Sequence, residues 1–163
     1  MSHTVVIGAY GHIGTYLVPR LVEAGHTVTA VSRGRAKPYL PHAAWSQVKH
    51  QSMDRTALEK TKSFGPAIRD LKPDIVVDLI CFTPDSAREL AEAVKTRISQ
   101  LVHIGTIWTH GFSASVPTRE DAPVSNSTRA RRRPSSGPPT PSSASHFGKA
   151  LTLRLSPTAT LGL

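Results

Sequence analysis

Short apolar runs rich in β-branched residues alternate along the chain with longer stretches whose apolar positions recur at helical spacing. "HTVVIG" near the N-terminus predicts a buried strand. Ile13, Leu17, Leu21 and Val22 predict a helix that Gly25 stops. "HTVTAVSR" predicts a second strand, the Pro38- and Pro41-containing segment a loop, and "WSQVKH" a weaker third strand. Asp54 is placed to cap a helix starting near Arg55, with Gly65-Pro66 breaking that segment in two. "DIVVDLICF" predicts a fourth strand. "TPDSARELAEAVKTRI" opens a helix with Thr83 as cap and Pro84 in its first position, and "QLVHIGTIW" predicts a fifth strand. Such alternation requires crossover connections, hence an α/β fold with a doubly wound parallel sheet, expected order 3-2-1-4-5.

The first strand runs directly into Gly8, Gly11 and Gly14, spaced three residues apart. A loop that ends in a helix N-terminus presents backbone N–H groups and the positive end of the helix dipole to an anion. Glycine removes the side chains that would block the approach. Gly8 suits the tight turn, Gly11 the close pass of the chain along a pyrophosphate, and Gly14 the packing of helix on strand. This loop lies where the strand order reverses, so a dinucleotide is the expected partner.

The stretches "VIGAYGHIGTYLVPRLVEAGHTVTAVSRG", "KPDIVVDLICFTP" and "LVHIGTIWTHG" together resemble the extended and atypical short-chain dehydrogenase/reductases, the NAD-dependent epimerase/dehydratase group. The resemblance runs from about His3 to Pro123. It implies a Rossmann domain over residues 1–123 and cofactor contacts from Gly8, Tyr10, Gly11, His12, Ile13, Gly14, Arg33, Gln51, Leu79 and Thr106. Counted back from Gly111, Thr106 also falls at the family's catalytic Ser/Thr position. Gln51 stands where members often carry an adenine-contacting Asp.

An acidic residue at the end of the second strand would bind ribose hydroxyls and repel a 2′-phosphate. This chain has Ser32-Arg33 there, followed by Arg35 and Lys37, which predicts NADP(H) in preference to NAD(H). The family's acid/base pair is a different matter. It is a Tyr-x-x-x-Lys on the helix after the fifth strand, yet the three tyrosines here are Tyr10, Tyr16 and Tyr39. The nearest echo, "SHFGKA", puts Ser145 four residues before Lys149, and a serine hydroxyl is far less acidic than a phenol. Thr106 and Lys149 are thus the candidate catalytic residues, and impaired catalysis is expected.

Composition changes near Pro123. Residues 1–123 carry 14 Lys and Arg against 11 Asp and Glu, whereas residues 124–163 carry six basic residues and no acid. Most of the +9 formal charge therefore belongs to a Ser-, Pro- and Arg-rich tail whose composition predicts disorder. One reading derives this tail from a frameshift, retained intron or alternative splicing. The other treats Arg129, Arg131, Arg132 and Arg133 as a nuclear localisation or phosphate-binding patch. An arginine run without interleaved aromatics argues against nucleic acid as a partner. Without the family's later helices, the strand at residues 100–108 is expected to form a bare edge that promotes self-association.

Cys81 is the one cysteine, so no intrachain disulfide forms and a reducing, cytoplasmic setting is expected. The eight histidines show no metal-ligand spacing with Cys81, so no metal is expected. No apolar run reaches the ~20 residues of a membrane span. Asp78, inside an apolar strand, either holds a loop or faces the cofactor.

Overall fold

The computed structural model describes residues 1–34, 36–106 and 148–153. Its contacts divide the chain into Met1–Ile104 with Leu151–Leu163, and Gly105–Ala150. The first of these units carries the described site. In chain order the elements up to residue 106 are β1 (His3–Ile7), α1 (His12–Glu23), β2 (Thr27–Ser32), a 3₁₀ turn (Ala43–Gln47), β3 (Lys49–Ser52), α2 (Arg55–Lys60), α3 (Phe64–Asp70), β4 (Ile75–Asp78), α4 (Pro84–Val94) and β5 (Gln100–Thr106). The sheet order is β3-β2-β1-β4-β5, all parallel, as the sequence pattern predicts.

Both faces of the sheet are covered, which is why its central strands read as unbroken apolar runs. Side chains alternate between the two faces along each strand. Val5, Ile7 and Val76 pack with Phe64, Ile68, Leu90 and Val94 from α3 and α4. Val6, Val28, Ala30 and Val77 pack with Val18 of α1 on the other side. The caps follow local chemistry. Asp54 Oδ1 accepts from the Ala57 N–H (3.2 Å), Thr83 Oγ1 accepts from the Ser86 N–H (3.2 Å), and Pro84 opens α4.

Three boundaries differ from expectation. Trp45 belongs to the 3₁₀ turn, and β3 begins only at Lys49. The break between α2 and α3 precedes Gly65-Pro66: Lys62 takes the left-handed conformation (φ 53°), and Pro66 sits in the first turn of α3. Pro66 is tolerated there because first-turn N–H groups have no intrahelical acceptor. Gly65 instead serves close packing, since a Cβ on it would lie 2.7 Å from Ala93 Cβ on α4. β4 stops at Asp78 rather than running on to Phe82, because Asp78 Oδ1 accepts from the Ile80 N–H (3.2 Å) and turns the chain.

A sixth strand, β6 (Gly148–Leu153), follows β5 in the sheet order. Self-association through residues 100–108 rested on β5 being outermost, and β6 now stands beside it. The rest of the basic tail, including Arg129 to Arg133, lies outside the described residues. Among the described residues no helix is long and apolar enough to cross a membrane.

Candidate functional site

The turn from β1 into α1 is built so that glycine is required. Gly8 has φ +83°, and a Cβ there would lie 2.8 Å from Ile80 Cγ2. A Cβ on Gly14 would lie 2.1 Å from the Ala9 carbonyl oxygen, so α1 packs on the turn only because that position carries hydrogen. The Gly8 N–H donates to Val31 O and the Gly11 N–H to Gly8 O, each at 3.0 Å, which fixes the loop. Gly11 is the N-cap of α1 and supplies no side-chain acceptor, and the first turn has no acid. The positive end of this helix is therefore left for an anion from outside the helix.

The turn opens into a cleft of about 620 Å³ at the carboxyl ends of the strands. Gly8, Tyr10 and Gly11 line it from the turn, Ser32 from the end of β2 and Arg33 just after it, and Ile80, Phe82 and Thr83 from the segment between β4 and α4. Such a glycine cradle at the reversal of strand order fits a dinucleotide's pyrophosphate. The β2–β3 connection is tied to the cradle. The Tyr39 N–H donates to Thr15 Oγ1 (3.2 Å), and Thr15 Oγ1 donates to Gly11 O (3.0 Å). Tyr10 stacks on Trp45 with ring centroids 5.1 Å apart, and burial raises the pKa of its phenol.

Of the residues singled out from the sequence, Gly8, Tyr10, Gly11 and Arg33 line the cleft. His12, Ile13 and Gly14 form the first turn of α1. Leu79 packs against the core beside α1, and the next residue, Ile80, is the one on the cleft wall. Gln51 lines a separate hollow with His3, Thr29 and Leu71, while Met53 and Asp54 reach the cleft from the end of β3. Lys37 lines a smaller adjoining cavity, and Arg35 lies outside the described residues. Thr106 ends β5. Lys149 is on β6, so the "SHFGKA" echo does not place it on a helix.

The floor of the cleft holds an ion cluster that the sequence concealed. Asp78, 1% exposed, accepts twice from Arg55 Nη1, at 2.8 and 3.0 Å. Arg55 Nε donates to Glu59 Oε1 at 2.6 Å, and the guanidinium lies 4.9 Å over the Phe64 ring. Burial draws the Arg55 pKa down, but hydrogen bonds and charges of Asp78 and the hydrogen bond to Glu59 more than reverse this. Arg55 Nη2 is buried without a hydrogen-bond partner among the described residues. Asp78 therefore acts first on the protein itself.

The β4–β5 register sets His103 beside Asp78, and ligand atoms of Asp78, Cys81 and His103 lie within 4.8 Å of one another. The sequence spacing hid this grouping of a histidine with Cys81. Arg55 already supplies the cation to this carboxylate, and its charge opposes a metal ion there. Burial pushes the Cys81 thiol pKa up and the Asp78 charge adds to it, with Arg55 and the Thr83 backbone offsetting only part. Cys81 should accordingly react with iodoacetamide more slowly than free cysteine at neutral pH. Mass spectrometry of a labelling time course checks this, and labelling at the rate of free cysteine would refute it.

The model of the NAD dependent epimerase/dehydratase family matches residues 4–130. The chain belongs to this family. No curated protein matches it. Its fold is shared with solved structures under 25% identical to it. A protein of Burkholderia cenocepacia J2315 has a TM-score of 0.60 at 24% identity, over 76% of this chain and 43% of that one. The Bordetella bronchiseptica enzyme WbmG, solved with NAD and UDP, has a TM-score of 0.58 at 18% identity, over 76% and 44%. UDP-glucose 4-epimerase from Bifidobacterium longum, solved with NAD⁺ and UDP, has a TM-score of 0.58 at 16% identity, over 76% and 43%. The chain thus spans less than half the length of these relatives by fold.

Proposed function

We propose that this epimerase/dehydratase-family chain binds a nicotinamide dinucleotide in the β1–α1 cleft, NADP(H) in preference to NAD(H), and is impaired in catalysis. The observation that carries the binding reading is the glycine cradle, where a Cβ at Gly14 would meet the Ala9 carbonyl and the helix N-terminus carries no acid. The N–H groups at the start of α1 would hold the pyrophosphate. Ser32 and Arg33, both on the cleft wall, would face the adenosine ribose. A guanidinium there favours a 2′-phosphate, and β2 ends without a carboxylate. A bound nicotinamide would supply hydride chemistry.

Impairment follows from the proton-transfer side. Tyr10, Tyr16 and Tyr39 all lie in or after the glycine turn and before β3, and no tyrosine follows Thr106. Tyr10, with its phenol pKa raised by burial, is a poor proton acceptor. The alternative reading, an active NADP-dependent oxidoreductase or epimerase/dehydratase, rests on Thr106 at the end of β5 and needs an acid/base other than tyrosine. A non-catalytic sensor or interaction module would need the cradle alone. With one cysteine, Cys81, the protein is read as cytoplasmic.

Thermal unfolding with excess NADPH or NADH tests the binding reading. At about 100 times the dissociation constant, a ligand of the folded state adds ~2.7 kcal/mol, enough to raise the midpoint by several degrees. The expected result is a larger shift with NADPH than with NADH. A cooperative transition that neither moves would overturn binding, and a larger shift with NADH would overturn the preference.

A further inference from the structure

A cavity of about 370 Å³ adjoins the main cleft and shares Tyr10 and Ala36 with it. Lys37, His50 and Trp45 line it, and among the described residues its lining holds no carboxylate. It lies beside the end of β2, where the adenosine ribose of a dinucleotide held by the cradle would be. Its walls are fixed. Tyr10 stacks on Trp45, the Tyr10 and His50 rings meet edge to face with centroids 5.6 Å apart, and Tyr39 N is bonded to Thr15 Oγ1. The loop carrying Lys37 is thus pinned to the first turn of α1.

His50 also pairs with the residue that ends β2. Its Nε2 lies 3.0 Å from Ser32 Oγ, which accepts from the Gly34 N–H at 3.1 Å. We infer that His50, acting with Ser32 and Lys37, is the specificity-determining residue that reads a phosphate monoester on the 2′-oxygen of the adenosine ribose. This rests on the dinucleotide reading above and adds a reader on β3 to Arg33, which follows β2. In the inferred complex the ring Nε2–H donates to Ser32 Oγ. With two donors directed at its oxygen, Ser32 must turn its own O–H outward, and that hydrogen is free for a phosphate oxygen. Lys37 adds a point charge from the smaller cavity, which it lines with His50, while Ser32 lines the main cleft. A 2′-hydroxyl, uncharged, draws neither response.

Isothermal titration of the full chain with NADPH and with NADH tests the assignment, using His50→Phe and Lys37→Ala. Both positions are exposed, and phenylalanine keeps a ring against Tyr10. His50→Phe should weaken NADPH about tenfold, the order expected for loss of one hydrogen-bonding partner, with NADH changed by less than about twofold. Lys37→Ala should act in the same direction. If His50→Phe leaves NADPH unchanged, or weakens both dinucleotides equally, the assignment of His50 is wrong while the cradle reading stands. If the wild-type chain binds NADH as tightly as NADPH, the cofactor preference itself is wrong and the inference falls with it.

Discussion

Replacing Asp78 with alanine should destabilise the domain by about 3–5 kcal/mol, the usual penalty for stranding one partner of a buried ion pair. Asp78 is 1% exposed and Arg55 9%, so water cannot replace the lost carboxylate without opening the core. Glu59 would still accept from Arg55 Nε, but Nη1 would lose both its acceptors and join Nη2, which already has none among the described residues. The midpoint of thermal unfolding should fall by about 10 °C or more. Urea unfolding followed by circular dichroism gives the free energy directly, and a loss below about 1 kcal/mol would refute the role assigned to the pair. The double variant Arg55→Met with Asp78→Leu removes both charges and should recover most of the loss, since apolar replacement of a whole buried pair is often neutral. Failure to recover would mean that the hydrogen bond from Ile80 N to Asp78, which ends β4, matters more than the charge.

That ion pair marks the limit of what could be read from the chain. The strands, α1, the Asp54 cap and the Thr83-Pro84 start of α4 were legible because each is decided by residues within one turn of it. Asp78 was visible as a misfit in an apolar strand, but its partner is 23 residues earlier and comes near only when α2 packs over the end of β4. His50 was equally hidden. It meets Ser32 through the β2–β3 register, which pairs it with Ala30, and no local pattern specifies that register. Leu79 and Ile80 show how a boundary error moves a site residue. A strand read as continuing to Phe82 gives no reason to choose between them, whereas the turn at Asp78 puts Ile80 on the cleft.

The glycine turn allows stability and binding to be separated. Gly14→Ala should weaken NADPH about 100-fold in isothermal titration, the equivalent of two charge-assisted hydrogen bonds, and lower stability by about 3 kcal/mol. Its Cβ would sit 2.1 Å from the Ala9 oxygen, 2.5 Å from the Ala9 carbonyl carbon and 2.7 Å from Ala9 Cα. Ala9 is fully buried, so the turn cannot yield and α1 must shift away from it. The helix N–H groups would move with it, off the position where the cradle presents them to an anion. Gly25→Ala is the matched control. Gly25 ends α1 at φ +85° with nothing within 4 Å of an added Cβ, so alanine there meets backbone strain of about 1–2 kcal/mol and no collision. It should therefore lower stability while leaving the NADPH dissociation constant unchanged. If the two variants weaken NADPH alike, the loss at Gly14 reflects general destabilisation and not the cradle. If Gly14→Ala binds as the wild type does, the first turn of α1 does not hold the pyrophosphate, and Arg33 and its neighbours at the end of β2 would have to carry the affinity alone.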